Sequence, residues 1–459
     1  MRYETNRNYR NLMKRCMLVA VGLHLSTCIF QTSTCLAQQA WDMQQCIDYA
    51  ISHNIDVQKR AVEVSQRDIT LNTSKKAWLP DLNLKLQHLY GFENPVSASS
   101  GSNVSFNNAS GSVTQPVINS TMPVFDGFKI KNQIQADKFS LMSATADLEG
   151  AKKDISIQVA SYYLQCLYYK GLADVARKQV ETSREMVKRA AIQVEEGKRP
   201  LSEKADAEAQ LATDEQTLVN DEGQYTLALL TLAHALNIPD IQDFRIVEDE
   251  RGLISSADST LQMPQTIYDG SVNNWPAVMS AQAGVRQSDY LLKVNKGDFY
   301  PQVSLYGSIG TVSYTVFNRD KLNFGSFWHQ FDSNRGEIIG LVLTYPIFNR
   351  FQTRNKVRKA SFDIINKKLA LEDAKLKLRK DIETAYQNAV LAQQKLKSSE
   401  KSCEANRISM EYEEIRYNEG RSSIFDLLQA RQKYFKAQQD AIQAKYELLI
   451  RERILDYYK

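Results

Sequence analysis

The chain has 459 residues, with 57 Lys+Arg against 53 Asp+Glu for a net charge of +4, and is 43% hydrophobic and 24% charged. With only 19 Gly and 10 Pro it is neither collagen-like nor an all-β protein of many tight turns, and its composition is not that of a disordered tail. So weak a charge is no nucleic-acid footprint, and beyond the first forty residues no run of eighteen apolar residues supplies a transmembrane helix.

The N-terminus carries Arg2, Arg7, Arg10, Lys14 and Arg15, then an apolar run from Cys16 to Phe30 that closes on Cys35-Leu36-Ala37. A basic stretch, a short apolar core and a small final residue are the three parts of a secretory signal peptide, expected over residues 1–37 with cleavage after Ala37. A membrane anchor is the weaker alternative, because the run is too short for a hydrocarbon layer of about 30 Å. A lipoprotein site at Leu25-Ser26-Thr27-Cys28 is poor, since Thr27 is bulky for the residue before a lipidated Cys. Removing residues 1–37 takes away five basic residues and Glu4, which leaves 52 of each sign and a mature chain of zero net charge.

Cys46, Cys166 and Cys403 then remain, too far apart for a disulfide framework. Cys166 and Cys403 fall on apolar helix positions and are expected as small core residues. His53, His88, His234 and His329 have no ligand-spaced partners, so neither a metal site nor a cofactor is expected.

In chain order, the mature part opens with a helix over about 42–77 (Cys46, Ile47, Ala50, Ile51, Val57, Val62). Leu82, Leu84 and Leu86 then alternate with Asn83, Lys85 and Gln87, the period of a strand with one apolar and one polar face. A Ser/Asn/Gly-rich loop (93–112) and a second strand running to Pro123 follow. The sequons at Asn103 and Asn108 lie in that loop, whose composition produces such matches by chance. From about 129 to 196 there is no Pro, which predicts a helix of roughly 100 Å at 1.5 Å per residue. Val159, Cys166, Ala173, Val180, Val187 and Val194 keep step at seven along it, as Leu211, Leu218, Tyr225 and Leu232 do on the returning helix. A seven-residue repeat keeps its seam facing a partner only in a left-handed supercoil, so a long coiled-coil hairpin is predicted, turning near Gly197–Leu201. Tyr162, Tyr163, Tyr168 and Tyr169 form a mid-helix aromatic cluster, better explained by packing than by a substrate site.

The same order then returns. Trp78-Leu79-Pro80-Asp81-Leu82 is echoed by Phe299-Tyr300-Pro301-Gln302-Val303, and Met122 to Phe128 by Tyr345 to Phe351. Val194-Glu195-Glu196-Gly197-Lys198 is echoed by Tyr417-Asn418-Glu419-Gly420-Arg421. The predicted second unit has a helix over about 264–297, strands around 303–309 and 337–346 flanking a loop at about 316–334, and a second long hairpin turning near Gly420–Ile424. Its seam is Ile382, Ala389, Leu396, Cys403, Met410 and Tyr417, returning through Tyr434, Ala441, Leu448 and Leu455. The domains are therefore a first repeat (38–236), an acidic non-periodic linker (237–263) and a second repeat (264–459).

Four strands with lipid-like outer faces would leave open edges that no bilayer tolerates, and membrane barrels begin at about eight strands. The predicted fold is mainly α with a small β part, in which each chain adds four strands to a barrel shared between copies. Three copies would close a barrel of twelve and gather the hairpins into an α-helical tube about 100 Å long. The number three does not follow from physics alone.

At this level the chain resembles the TolC-like outer-membrane efflux proteins. The likeness rests on the opening Trp41 to Asn54 segment, the Leu79-Pro80-Asp81-Leu82 entry into the strands and the exits at Pro123–Asp126 and Pro346–Asn349. Its strongest part is the tip from Tyr417-Asn418-Glu419-Gly420-Arg421 to Leu428-Gln429-Ala430. The resemblance implies a homotrimer whose β-barrel sits in outer-membrane lipid and whose α-barrel crosses the periplasm to a periplasmic adaptor and an inner-membrane transporter. It implies a passive duct for efflux or type I secretion.

The resemblance also implies a periplasmic gate of tyrosine, arginine and aspartate. Tyr417 stands at the tyrosine position and Asp426 at the first of two aspartates. Gln429 replaces the second, and Ser422 takes the arginine position with Arg421 one residue away, a departure from the ionic lock. Glu203 holds the corresponding place in the first repeat. Three carboxylates around a pore make a cation-favouring ring, though Asp426 equally suits the first turn of its own helix. Gly197 and Gly420 read as turn residues, and with Lys198 and Arg421 they also mark where the adaptor would dock. The competing classes are a periplasmic coiled-coil adaptor or scaffold, which lacks a reason for duplicated strand–loop–strand units, and an enzyme. No phosphate-binding loop or nucleophile signature supports the enzyme.

Overall fold

The computed structural model describes residues 40–92, 110–238, 244–247, 261–317 and 325–459. The expected signal peptide, the sequons and most of the 237–263 linker lie outside the described residues.

The helix expected over about 42–77 is two helices rather than one, α1 (Met43–His53) and α2 (Ile55–Lys75). Asp42 starts α1 through a reciprocal capping box with Gln45 (2.7 and 3.0 Å). Asn54 then sits extended at ψ 130 and accepts from the backbone N–H groups of Asp56 and Val57, so it ends one helix and caps the next. The helix expected over 264–297 is broken in the same way into α5 (Pro264–Ser271) and α6 (Pro276–Gly297), because Pro276 has no N–H to continue a ladder. The long hairpins are α3 (Lys129–Glu195) with α4 (Leu201–Ala235), and α8 (Gln352–Asn418) with α9 (Ile424–Tyr457). The outgoing helices α3 and α8 are both 67 residues long.

Among the described residues five strands form one antiparallel sheet, β1 (Asn83–Gly91), β2 (Ser110–Phe125), β3 (Gln302–Gly310), β4 (Ser313–Phe317) and β5 (Gly336–Thr344). The main path is β1-β2-β3-β5, and the unexpected β4 continues along β2 beyond the end of β3. A short helix, α7 (Phe327–Ser333), occupies part of what was read as loop 316–334. Register sorts the side chains into two faces. Leu84 lies opposite Ile118 and Ile118 opposite Ile309, while Met122 lies opposite Leu305 and Leu305 opposite Leu341. One residue over, Asn83 faces Asn119 and Asn119 faces Ser308, and Thr121 faces Tyr306. The result is an apolar face and a largely polar face. The apolar one is bare: Leu84, Ile339 and Leu341 are 72%, 80% and 70% exposed.

Strand gives way to helix at Asp126-Gly127-Phe128 and again at Asn349-Arg350-Phe351. Both turns place two successive residues at positive φ (70 and 62, then 55 and 61). Gly127 suits its place for a second reason, since a Cβ there would meet the carbonyl oxygen of Gly297 at 2.4 Å.

The main core sits where the short helices gird the long ones. Cys46, Ala50, Val159, Leu164, Cys166, Leu232 and Leu236 are buried there, under a parallel bridge between Trp41 and Ile246. Tyr163, in the same core, donates to the Val247 carbonyl at 2.6 Å, so the aromatic cluster is packing. A second cluster does the same for the α8–α9 hairpin with Ile267, Val278, Leu378, Ile382 and Leu455. Each fully buried Leu contributes about 1.5–3 kcal/mol of burial. The seven-residue seams hold along the upper helices but drift below. On α3, Val187 and Val194 are only half-buried while Ser183, Met186 and Ala190 are buried. Near its end α3 must face α9 as well as α4, and Met186 turns toward Ile424 and Leu427 of the other hairpin. Cys403 and Met410 are likewise half-buried and not core residues. Among the described residues no helix is long and apolar enough to cross a membrane.

Candidate gate at the hairpin tips

Both long helices stop in the same way. Gly197 at φ 69 and Gly420 at φ 73 take the left-handed conformation that an L side chain resists. Their N–H groups donate to the carbonyls of Val194 and Tyr417 (3.0 Å each), and the next N–H groups, of Lys198 and Arg421, reach Gln193 and Arg416 (2.9 and 2.8 Å). This pairing closes both helices in a Schellman turn. Nothing lies within 4 Å of a Cβ added at either glycine, so backbone conformation alone requires them. Lys198 pairs with Glu196 at 2.7 Å and Arg421 with Glu419 at 3.4 Å, and all four side chains are half-exposed or more.

Between the two tips the protein ties its hairpins together. Tyr417, the penultimate residue but one before the second turn, is 9% exposed and packs with Met186, Ile424 and Leu427. Its hydroxyl donates to Glu203 Oε2 at 3.1 Å. The other carboxylate oxygen of Glu203 accepts from Arg199 at 3.2 Å. Arg199 returns to Tyr417 twice, through a hydrogen bond to its carbonyl (3.4 Å) and by placing its guanidinium 4.9 Å from the ring centroid. The three groups form a closed loop linking α4 of the first hairpin to α8 of the second. Burial, then the charge and acceptor oxygen of Glu203, push the Tyr417 phenol above its ordinary range, with Arg199 opposing. Tyr417 therefore remains a neutral donor at physiological pH.

Further polar contacts lie one to three turns deeper from the tips. Arg431 of α9 is buried, donates to Glu414 Oε1 at 3.0 Å and approaches Met186 Sδ at 2.7 Å, while its Nε has no partner. Desolvation pushes its pKa down and Glu414 partly restores it. Across the first hairpin, buried Asp214 accepts from Ser183, from Gln210 at 2.9 Å and from Gln179 at 3.4 Å.

Of the residues expected at the gate, the structure brings Tyr417 and Glu203 together and leaves the others apart within one chain. Asp426 is exposed and serves as the reciprocal partner of Ser423 in the capping box of α9 (2.7 Å between side chains). The Ser423 hydroxyl, then its backbone N–H, hold the Asp426 carboxyl below the usual carboxylate range. Gln429 is exposed on a cleft of about 650 Å³ lined by Ser402, Asn406, Phe425 and Lys433. The Ser422 hydroxyl is enclosed without a partner, and Arg421 points to Glu419 instead of toward Glu203. Sequence reasoning missed Arg199 and Arg431. Arg199 carried a signal, because it precedes Glu203 by four residues across a helix start. Arg431 carried none, since nothing in an exposed-looking heptad marks a guanidinium that the neighbouring hairpin will bury.

Comparison with known proteins agrees with this architecture. The family described as outer membrane efflux protein matches residues 46–237 and again 257–457. The outer membrane efflux protein BepC of Brucella suis biovar 1 (strain 1330) is 18% identical over 331 residues, 71% of this chain and 68% of its own. TolC of Salmonella enteritidis is 20% identical over 452 residues, 97% of this chain and 86% of its own. Among solved structures, the CusC channel superposes with a TM-score of 0.75 over 91% of both chains at 14% identity, a likeness of fold. With the family matched over residues 46–237 and 257–457, most of its length, the chain belongs to the outer membrane efflux protein family.

Proposed function

We propose that three copies of this chain close into a single passive duct. Its β-barrel stands in the outer membrane and its α-barrel reaches through the periplasm to an adaptor and an inner-membrane pump. The observation that carries this reading is the sheet: among the described residues β1 and β5 each pair on one side only, and Leu84, Ile339 and Leu341 leave one face largely apolar and open. Water would not tolerate that face and lipid would not tolerate those edges, so the sheet needs both a bilayer and neighbours. Twelve main-path strands from three copies satisfy the closure requirement, and strand direction alternates correctly where β5 of one copy meets β1 of the next. The polar face, with Asn83, Asn119, Ser308 and Tyr306, then lines the lumen. The family and its structural relatives are channels rather than enzymes. Free energy for export comes from the partner pump, which also selects the substrate.

In this reading the Arg199–Glu203–Tyr417 loop is the closed-state latch at the periplasmic end. It holds the second hairpin against the first, and opening requires the hairpins to part there. Asp426, exposed beside the tip, is available to a ring of carboxylates from three copies. Gly197, Lys198, Gly420 and Arg421 form the surface on which the adaptor docks. The test is fractionation followed by electrophoresis. A heat-modifiable trimer in the outer membrane that conducts in a planar bilayer supports the duct. A monomer released by osmotic shock would point to a periplasmic scaffold.

A further inference from the structure

The extracellular end of the sheet carries a feature that conduction does not use. Beyond β3 the chain bends into β4, whose outer edge meets no other strand among the described residues. Gln330 of α7 takes that role, accepting from the Tyr314 N–H at 2.7 Å and donating to the Tyr314 carbonyl at 2.9 Å. The hydroxyl of Thr311, two residues beyond Ile309 and on the same face, donates to the Phe331 carbonyl at 2.7 Å. These bonds fasten α7 over the apolar side of the sheet. A groove of about 410 Å³ lies between them, floored by Leu84, Pro116, Ile118 and Ile309 and overhung by Phe331 and Arg335.

The outer surface of α7 is aromatic. Phe327, Trp328 and Phe331 share one side of the helix, with Trp328 edge-on to both phenylalanines and 74% exposed. Arg335 pairs with Glu337 at 3.0 Å where the apolar face ends. Amphipathic rings concentrate where acyl chains meet headgroups, and the groove floor is continuous with the face assigned to the membrane. We infer that α7 is an anchor in the outer leaflet and that the groove beneath it holds an acyl chain of an outer-leaflet lipid. The inference rests on the sheet being a membrane barrel wall.

The chain has four Trp, so Trp328 can be isolated by W41F, W78F and W275F together. The purified oligomer is placed in vesicles of dioleoylphosphatidylcholine or of its chain-brominated analogue. Trp328 emission should be blue-shifted, strongly lost in the brominated vesicles and little affected by aqueous acrylamide. Quenching by acrylamide with no loss in brominated vesicles would overturn the anchor. Ile339→Trp in a Trp-free background separates the two readings, since Ile339 lies in the middle of the apolar face. If that indole also escapes brominated lipid, the barrel assignment fails; if it alone is quenched, only the anchor does. Should the triple variant fail to assemble, the difference between the parent and Trp328→Phe gives the same signal. For the groove itself, Ile309→Trp fills the cavity, and native mass spectrometry of the oligomer should show fewer retained phosphatidylcholine molecules. An unchanged lipid count would refute an acyl chain in the groove.

Discussion

Tyr417→Phe is the sharpest test of the latch, because it removes one oxygen and nothing else. The ring stays among Met186, Ile424 and Leu427, and it stays under Arg199 at 4.9 Å. What is lost is a 3.1 Å hydrogen bond to Glu203. A hydrogen bond to a charged group contributes about 1.5–3 kcal/mol when both partners are dry. Here the Glu203 and Arg199 side chains keep 12% and 23% of their exposure, and Arg199 continues to satisfy one carboxylate oxygen. A net loss of about 1 kcal/mol per chain is therefore the reasonable figure. If opening breaks all three copies together, about 3 kcal/mol is lost, or roughly a hundredfold in the closed-to-open ratio. Single-channel recording in a planar bilayer should show a much larger resting open fraction with unchanged full-open conductance. Glu203→Gln should also raise it, and the double variant should add less than the sum of the two single effects. A Tyr417→Phe channel that stays shut, or strict additivity with Glu203→Gln, would show that the loop packs the tips without latching them.

Other consequences can be checked on the same purified protein. Arg350 holds φ 55 in a turn like that of Gly127, so Arg350→Gly should stabilise the chain by about 0.5 kcal/mol once the added flexibility of Gly is deducted, seen as a modestly higher midpoint of heat-induced trimer dissociation. The reverse experiment, Gly127→Ala, drives a Cβ into the Gly297 oxygen and should destabilise the chain by about 2 kcal/mol or more, seen as a lower midpoint. Burial pushes the Cys46 and Cys166 thiols up to about 12, with Asp42 adding to the first and Cys46 to the second, so both should resist iodoacetamide at pH 8 while half-buried Cys403 is alkylated first. Asp426 has a depressed pKa in the folded protein, so its contribution is present above the unfolded value of about 3.9 and is lost as pH falls through the folded one. Hydrogen exchange at the start of α9 should therefore accelerate only below about pH 4, and Asp426→Asn should abolish that pH dependence.

The parts of this molecule that were legible in its sequence are those whose causes are local and periodic. A hairpin of 67 outgoing residues follows from uninterrupted helix formers and a Gly at the turn, and the two-faced strands follow from alternation alone. The breaks at Asn54 and Pro276 were not read, although a cap residue and a proline mark them, because a continuous apolar pattern is the same on both sides of a kink. β4 and α7 were not legible, since Gln330 replaces a missing strand by two side-chain bonds, and no sequence pattern says which backbone a lone Gln will satisfy.

The candidate gate shows where that limit lies. Position by position the resemblance directs attention to Asp426, Gln429, Ser422 and Arg421, all within a few residues of one turn. The bonds that tie the tips instead run between hairpins, from Tyr417 to Glu203 and Arg199, 214 residues and more along the chain. Heptads establish that each hairpin closes on itself, but they are silent about how one closed hairpin is rotated against the next. That rotation decides whether Asp426 caps its own helix or faces a partner, and why Met186, one residue off the α3 seam, is turned to meet Ile424 and Arg431. A gate must release one contact without unfolding either element. Its contacts therefore belong between hairpins that are each internally complete, where sequence periodicity carries least information.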